Sequence, residues 1–385
     1  MKTSSWTWTP TGGLSPAPSA EQSAQLALYF GPRAMLEDPA CYDDLRAAFP
    51  KAILLGCSSG GHIVGEDICD DRVSVATVAF RDARLKGVSV CVPDASRSRP
   101  AGEEIAANLD APDLVAVIAL SDGLNVNGNQ LIAGMTSRFG RDVPICGGMA
   151  GDGANFQRTL AGLNCAPVER VVGAVGLYGD SLKVGWGAAG GWRAFGPPRV
   201  VSRANGSVLE ELDGRPALDV YTRYLDAEDV AALPNAALQF PLMVRNPVGR
   251  EEDLVRTVLD VDRASGTMTF AGEIPRGWKA QLLRGNITSM TRGAEDAGAM
   301  AVEPIAEFGD VGADGLALLV SCIARRLTMG AHSPYEIDAV HTQLPKGMCM
   351  AGFYSYGGFA PHARTRSNAL HNQTMAVLTV VEASA

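Results

Sequence analysis

Residues 24–62 read AQLALYFGPRAMLEDPACYDDLRAAFPKAILLGCSSGGH, and this stretch decides the fold class. Ala24 to Phe30 is a short apolar run closed by Gly31-Pro32, which reads as a buried strand. Tyr42 to Phe49 sets Leu45, Ala48 and Phe49 at helical spacing, and Ala52-Ile53-Leu54-Leu55 is a second buried strand. A strand–helix–strand unit normally makes its two strands parallel and adjacent. The second strand then runs into Gly56-Cys57-Ser58-Ser59-Gly60-Gly61-His62, a loop whose successive backbone N–H groups can converge on an anion. Its glycine spacing imitates a phosphate-binding loop. The Lys and Ser/Thr that such a loop needs are replaced by His62-Ile63, which argues against a nucleotide triphosphatase. A plain tight turn explains the same residues.

Outward from this unit the pattern stays α/β. Val73 to Phe80 and Gly87 to Val92 alternate as strands, and Gly102 to Leu109 is helical. Leu114 to Leu120 has no polar face and belongs deep in a sheet. A helix near Asn129 to Phe139 leads to a strand at Val143 to Cys146. Val171 to Leu177 and Ser181 to Trp186 read as a hairpin about Tyr178-Gly179-Asp180. Two further polar, Gly-rich loops follow strands: residues 121–129, holding Asp122 and Asn125, and residues 147–155, holding Asp152. Ligands of open α/β sheets bind outside the carboxyl ends of strands, so three such loops at one edge predict a shared cavity. Turn capping is the other role for Asp122 and Asp152.

Gly185 to Pro198 is rich in Gly and Pro and marks a domain boundary. The expected layout is a flexible leader over 1–20, an α/β domain over 21–198 and a second over 199–385. The fold class is α/β (mixed α+β), each domain a mixed sheet covered by helices. In the second domain Val208 to Leu212 and Ala217 to Leu225 suggest a helical segment. Strands are expected at Leu238 to Val244, Leu254 to Val261, Leu316 to Ile323, Met350 to Tyr356 and Met375 to Val381. Helices are expected at Ile287 to Met300 and Tyr335 to Leu344, and residues 261–268 form a strand–turn–strand hairpin. Asp260-x-Asp262 lacks the later carboxylates of a calcium loop.

The net charge is −9, without a block of Lys or Arg, so nucleic acid is not an expected partner. No apolar run reaches the length that spans a bilayer, and the N-terminus lacks a signal-peptide core. A cytoplasmic protein with eight reduced cysteines is expected. Cys57 is a candidate nucleophile for a thiol-dependent enzyme, but no motif supplies an activating base, and a buried structural thiol is the plainer reading. The five histidines show no metal-binding spacing. Leu370-His371-Asn372-Gln373-Thr374-Met375 places donors and acceptors at the mouth of a strand, where they suit a ligand or a hydrogen-bonded strand entry.

Taken together, these segments resemble the FIST family, named for F-box and intracellular signal transduction. Gly56-Cys57-Ser58, Asp122-Gly123-Leu124 and residues 147–152 look like its N-terminal domain. Residues 211–217 with Val220-Tyr221 look like the passage between domains. Ser321-Cys322 with Arg325, Gly352-Phe353-Tyr354-Ser355-Tyr356-Gly357 and residues 371–375 look like its C-terminal domain. His62 and Gly358 stand where family loops often carry an acid. The resemblance implies a non-enzymatic sensor of small ligands such as amino acids; a protein-interaction scaffold without a ligand is the alternative reading. It also implies a separate signalling partner, such as a histidine kinase, because 385 residues leave no room for an output domain. The implied ligand-binding set is Cys57, Ser58, Ser59, His62, Asp122, Asn125, Asp152, Arg325, Tyr354, Tyr356, His371 and Asn372. Some stand-alone members resemble haem-binding nitric-oxide sensors. That case would make His371 the axial ligand, with His62 as second choice.

Overall fold

The structure is a computed structural model, and it describes residues 1–17, 23–140, 142–248, 253–308, 314–363 and 365–383. The opening strand–helix–strand unit forms as its pattern requires. Strands Leu26–Gly31 and Ile53–Ser58 lie parallel and adjacent, joined through helix Pro39–Ala48. Pro39 starts that helix, where a missing N–H costs nothing, and the Asp38 carboxylate caps it from the Ala40 N–H at 3.0 Å.

These strands belong to the first of three six-stranded sheets. The second is centred on Leu114–Ser121, whose unbroken apolar run lies between parallel Ile145–Met149 and antiparallel Val171–Tyr178. Ile118 and Leu120 are fully buried, and each such side chain contributes ~1.5–3 kcal/mol. Helices Ser98–Leu109 and Gly128–Phe139 cover this sheet and cross closely. A Cβ on Gly102 would stand 2.2 Å from the Leu131 carbonyl oxygen, so glycine is needed at the crossing. The third sheet holds Leu182–Ala189, Met375–Glu382, Leu316–Cys322, Cys349–Ser355, His62–Val64 and Asp67–Cys69, backed by helices Ile287–Val302 and Pro334–His341. One apolar cluster contains Leu28 of the first sheet, Ile118 of the second and Leu318 of the third, so the three sheets share a core. The Phe30 and Phe353 rings stack across it at 4.7 Å.

The mixed α+β class therefore holds, and strand exchange ties the two halves together. Gly357–Pro361 pairs with Ile145–Met149, and His62–Val64 pairs with Cys349–Ser355. Between Leu182–Ala189 and Ile287–Val302 a separate nine-stranded sheet is inserted, with its own core around Val201, Tyr221, Phe240 and Met268.

Three local expectations are corrected. Residues 2–9 are not a loose leader. Lys2–Thr9 is a strand paired along Val73–Ala79, anchored by buried Trp6 and Trp8, and the Trp8 indole N–H donates to Asp44 at 2.7 Å. Residues 18–20 of the expected leader lie outside the described residues. Val171–Tyr178 and Leu182–Ala189 are strands but do not pair with each other; they enter different sheets. Val208–Leu212 is a strand, not part of a helix, because it pairs with Arg199–Asn205 on one side and Thr267–Phe270 on the other. The expected hairpin over 261–268 forms between Val258–Asp262 and Thr267–Phe270.

Candidate functional site

Ile53–Ser58 ends inside the molecule and delivers Ser59, Gly60, Gly61 and His62 to a pocket of about 310 Å³. Asp152, Gly153 and Asn155 of the third Gly-rich loop also line it, together with Arg33, Asp70 and Arg326. Backbone hydrogen bonds fix the first loop. Ser59 N–H donates to the Gly31 carbonyl at 3.0 Å, Gly60 N–H to the Tyr354 carbonyl at 3.0 Å, and the Gly61 carbonyl accepts from Tyr354 N–H at 2.8 Å. Arg326 Nη1 donates to the Gly60 carbonyl at 2.5 Å, and the guanidinium pairs in two-pronged fashion with Asp70 at 2.8 and 2.6 Å. That hydrogen-bonded guanidinium holds the Asp70 carboxyl below the usual range. Gly61 has φ of +126° and packs so tightly on Arg326 that a Cβ would lie 2.1 Å from Nη1, so any side chain here strains the backbone and displaces the guanidinium.

His62 is 0% exposed, and neither ring nitrogen has a hydrogen-bond partner. Burial lowers its pKa to about 4, with Asp70 opposing and Arg326 reinforcing the shift, so the ring is neutral at pH 7. A neutral imidazole offers one donor and one acceptor. Native proteins satisfy nearly all buried polar atoms, so two unpartnered nitrogens on a residue of the pocket wall stand out. The charged residues lining the pocket are Arg33, Arg326, Asp70 and Asp152, which balance.

Asp152 lines this pocket, yet its oxygens are engaged. They accept from the N–H groups of Phe156 at 2.9 Å and of Gln157 and Arg158 at 3.0 Å each, and from the Tyr356 hydroxyl. Tyr356 itself lines a second cleft on the far side of this loop, beside Gly123, Leu124 and Phe156. The three loops thus serve two cavities, not one.

Other residues expected at the site are placed elsewhere. Asp122 is fully buried and accepts from Leu124 N–H at 2.8 Å, Asn125 N–H at 3.2 Å, Asn125 Nδ2 at 2.8 Å, Thr159 Oγ1 at 2.5 Å and Arg170 N–H at 2.6 Å. Burial works to raise its pKa, but these hydrogen bonds, led by Thr159, hold it below the usual range. Asp122 and Asn125 therefore organise a loop. Cys57 is a core thiol that burial pushes well above its ordinary pKa, and Ser58 Oγ accepts from Leu160 N–H at 2.9 Å. Arg325 is wholly buried, bonded to Glu336 and the Gly190 carbonyl at 2.8 and 2.7 Å, and to the Met290 carbonyl at 2.8 Å. Tyr354 is also wholly buried; burial, then the nearby Glu336 charge, raises its hydroxyl well above the ordinary value. Asn372 is buried against Gly357 with neither amide atom hydrogen-bonded, and it lines neither the His62 pocket nor the Tyr356 cleft.

The pocket-lining residues that the sequence did not single out are Arg326, Asp70 and Arg33. Arg325-Arg326 opens helix Ile323–Met329, where successive residues diverge by about 100°. One arginine therefore turns into the core and the next onto the pocket, which helical phase alone does not assign.

Haem does not fit this arrangement. His371 is buried, its Nε2 is 3.0 Å from the Ala360 carbonyl, its ring abuts His362, and it lines neither the His62 pocket nor the Tyr356 cleft. His62 faces a small, charged pocket, not the apolar slot that a haem needs. No group of three or more His, Cys, Asp or Glu suited to a metal ion occurs among the described residues, and no helix among them is long and apolar enough to cross a membrane.

Comparison with known proteins places this geometry in a family. The model of the FIST N domain matches residues 25–215 and that of the FIST C domain residues 217–361. An uncharacterized protein of Methanocaldococcus jannaschii is 29% identical over 197 residues, 48% of this chain and 37% of its own. An uncharacterized protein of Mycobacterium bovis is 27% identical over 197 residues, 50% of this chain and 49% of its own. The chain thus spans less than half the length of these relatives. Among solved structures, a cyanuric acid hydrolase from A. caulinodans aligns over 78% of this chain and 100% of its own, at 11% identity and a TM-score of 0.19, too low to carry an argument.

Proposed function

The chain belongs to the FIST family, a family associated with signal transduction and ligand sensing, and on that premise we propose that it binds a small zwitterion of amino-acid size in the His62 pocket. The observation that carries this reading is the wholly buried imidazole of His62, with both nitrogens unpartnered in the pocket wall. Balanced charge around it favours a ligand carrying both signs, and about 310 Å³ lies at the small end of the usual range for ligand pockets. Occupancy passes to a separate protein, a histidine kinase or another signalling partner. The burial of Cys57, which raises its pKa, supports binding over a thiol-dependent reaction at that residue.

The test is titration calorimetry and thermal melting with a panel of free α-amino acids. The expected result is one-to-one binding of at least one member to the wild type. His62→Gln should weaken that binding tenfold or more at nearly unchanged melting temperature. If no amino acid shifts the melting of the wild type, or if His62→Gln binds equally well, the assignment of this pocket fails.

A further inference from the structure

We infer that the cleft on the far side of the 152–156 loop is a second, independent small-molecule site, shaped for an aromatic amine. Its volume is about 460 Å³. One wall is the loop at the carboxyl end of Leu114–Ser121, together with Met149 from the end of the parallel neighbour Ile145–Met149. This is where open α/β sheets take ligands. The other wall comes from the inserted nine-stranded module, through Ser207, Leu259 and residues 270–273.

The cleft gathers exposed apolar surface. Leu124, Phe156 and Leu259 are 39%, 46% and 44% exposed, and these three of the eight exposed large hydrophobics among the described residues all border it. Phe156 is held there against its backbone preference. Its φ is +50°, in the left-handed region that bulky residues avoid. Its N–H is fixed by Asp152 at 2.9 Å and by the Tyr356 hydroxyl at 3.2 Å, and its ring stacks on Tyr356 at 4.6 Å and 14°. A strained aromatic residue with an open ring face points from structure to binding. The free face suits stacking by a flat apolar ring.

Formal charge in the lining comes from one residue. Glu273 is the one Lys, Arg, His, Asp or Glu among the residues lining the cleft, and Gln130 Nε2 steadies its Oε1 at 2.9 Å. Arg256, buried behind the wall, is engaged by the carbonyls of Glu273, Val255 and Leu370 and by Asn129 Oδ1. It lines no part of the cleft. A carboxylate without an opposing cation in the lining favours an ammonium group on the ligand, and desolvated charge pairs discriminate strongly by sign.

Tryptamine is the probe, with 3-indolepropionate and n-butylamine as controls, followed by calorimetry on the full chain. Tryptamine should bind one-to-one, and both controls at least tenfold more weakly. Phe156→Ala and Glu273→Gln should each weaken tryptamine tenfold or more. Leu259→Arg, a change at an exposed rim position, should block binding without touching the Phe156 backbone. His62→Gln should leave tryptamine affinity unchanged, which separates this site from the His62 pocket. Absence of saturable tryptamine binding, equal affinity for 3-indolepropionate, or full binding by the Leu259→Arg protein would each overturn the inference.

Discussion

Mild acid should destabilise this protein through two imidazoles that fold uncharged. Burial lowers the pKa of His62 to about 4, and burial with His362 alongside lowers that of His371 to about 3. In the unfolded chain both return to about 6.5. Between those limits the unfolded state binds two protons that the folded state does not. Stability therefore rises with pH across the window, is complete above about pH 7, and is lost as pH falls from about 6.5 toward 4. From pH 6 to pH 5 each histidine contributes ~1.2 kcal/mol of this loss, so the wild type should lose ~2.4 kcal/mol. His62→Gln leaves only His371 to titrate and should halve the loss to ~1.2 kcal/mol; His371→Gln should do the same. Urea unfolding followed by circular dichroism at pH 7.5, 6 and 5, with constant m-values, measures it. A wild-type stability that is flat from pH 6 to 5 would refute the neutral burial of both rings. A His62→Gln protein that loses as much as the wild type would show that His62 does not titrate as its surroundings dictate.

Three further outcomes follow from the same structure. Asp122→Ala strands donors that now meet a buried carboxylate and should cost ~3–5 kcal/mol in urea unfolding, with affinity at the His62 pocket unchanged below the melting transition; a cost under ~1 kcal/mol would mean the knot is not structural. Glu336→Ala leaves the Arg325 charge buried and alone, and should cost ~3–5 kcal/mol, whereas the double change Arg325→Met with Glu336→Leu should cost less. In the native protein a thiol reagent should label exposed Cys91 and Cys165 quickly, and Cys41, Cys57, Cys146 and Cys322 only after unfolding; rapid labelling at Cys57 would restore the case for a reactive thiol.

The sheets were readable from sequence wherever hydrophobic pattern alone decides burial. Leu114 to Leu120 had no polar face, and it lies between two strands in the middle of its sheet. Residues 24–55 gave a parallel pair because a helical crossover leaves little alternative. Partner choice was harder. Val171–Tyr178 and Leu182–Ala189 flank a turn, and nothing local says that the second strand leaves to pair with Met375–Glu382, almost 200 residues later. Trp6 and Trp8 were a signal that residues 2–9 are packed, but Thr, Ser and Pro around them read as a tail. At the site, residue type was a poor guide to role. Asp122 and Asp152 sit in similar loops, yet one is enclosed by five donors while the other borders a pocket.

A sensor needs its ligand to favour one arrangement of the protein over another, by contacts that differ between the two. The His62 pocket is built so that such contacts cross the sequence. His62–Val64 pairs with Cys349–Ser355 of the C-terminal half, and Ser59 and Asp152 of the N-terminal half line the pocket together with Arg326 of the C-terminal half. Arg326 is the joint. It holds the Gly60 carbonyl and Asp70 at once, and it is carried on the short helix Ile323–Met329, whose preceding residue Arg325 is locked to Glu336. A carboxylate entering the pocket competes with Asp70 for one face of the Arg326 guanidinium. It does so against a helix that the buried pair keeps from following freely. Asp70 follows directly on Asp67–Cys69, an edge strand of the third sheet. An edge strand has one side without a partner in its own sheet, and Ile68 in its centre packs against the core.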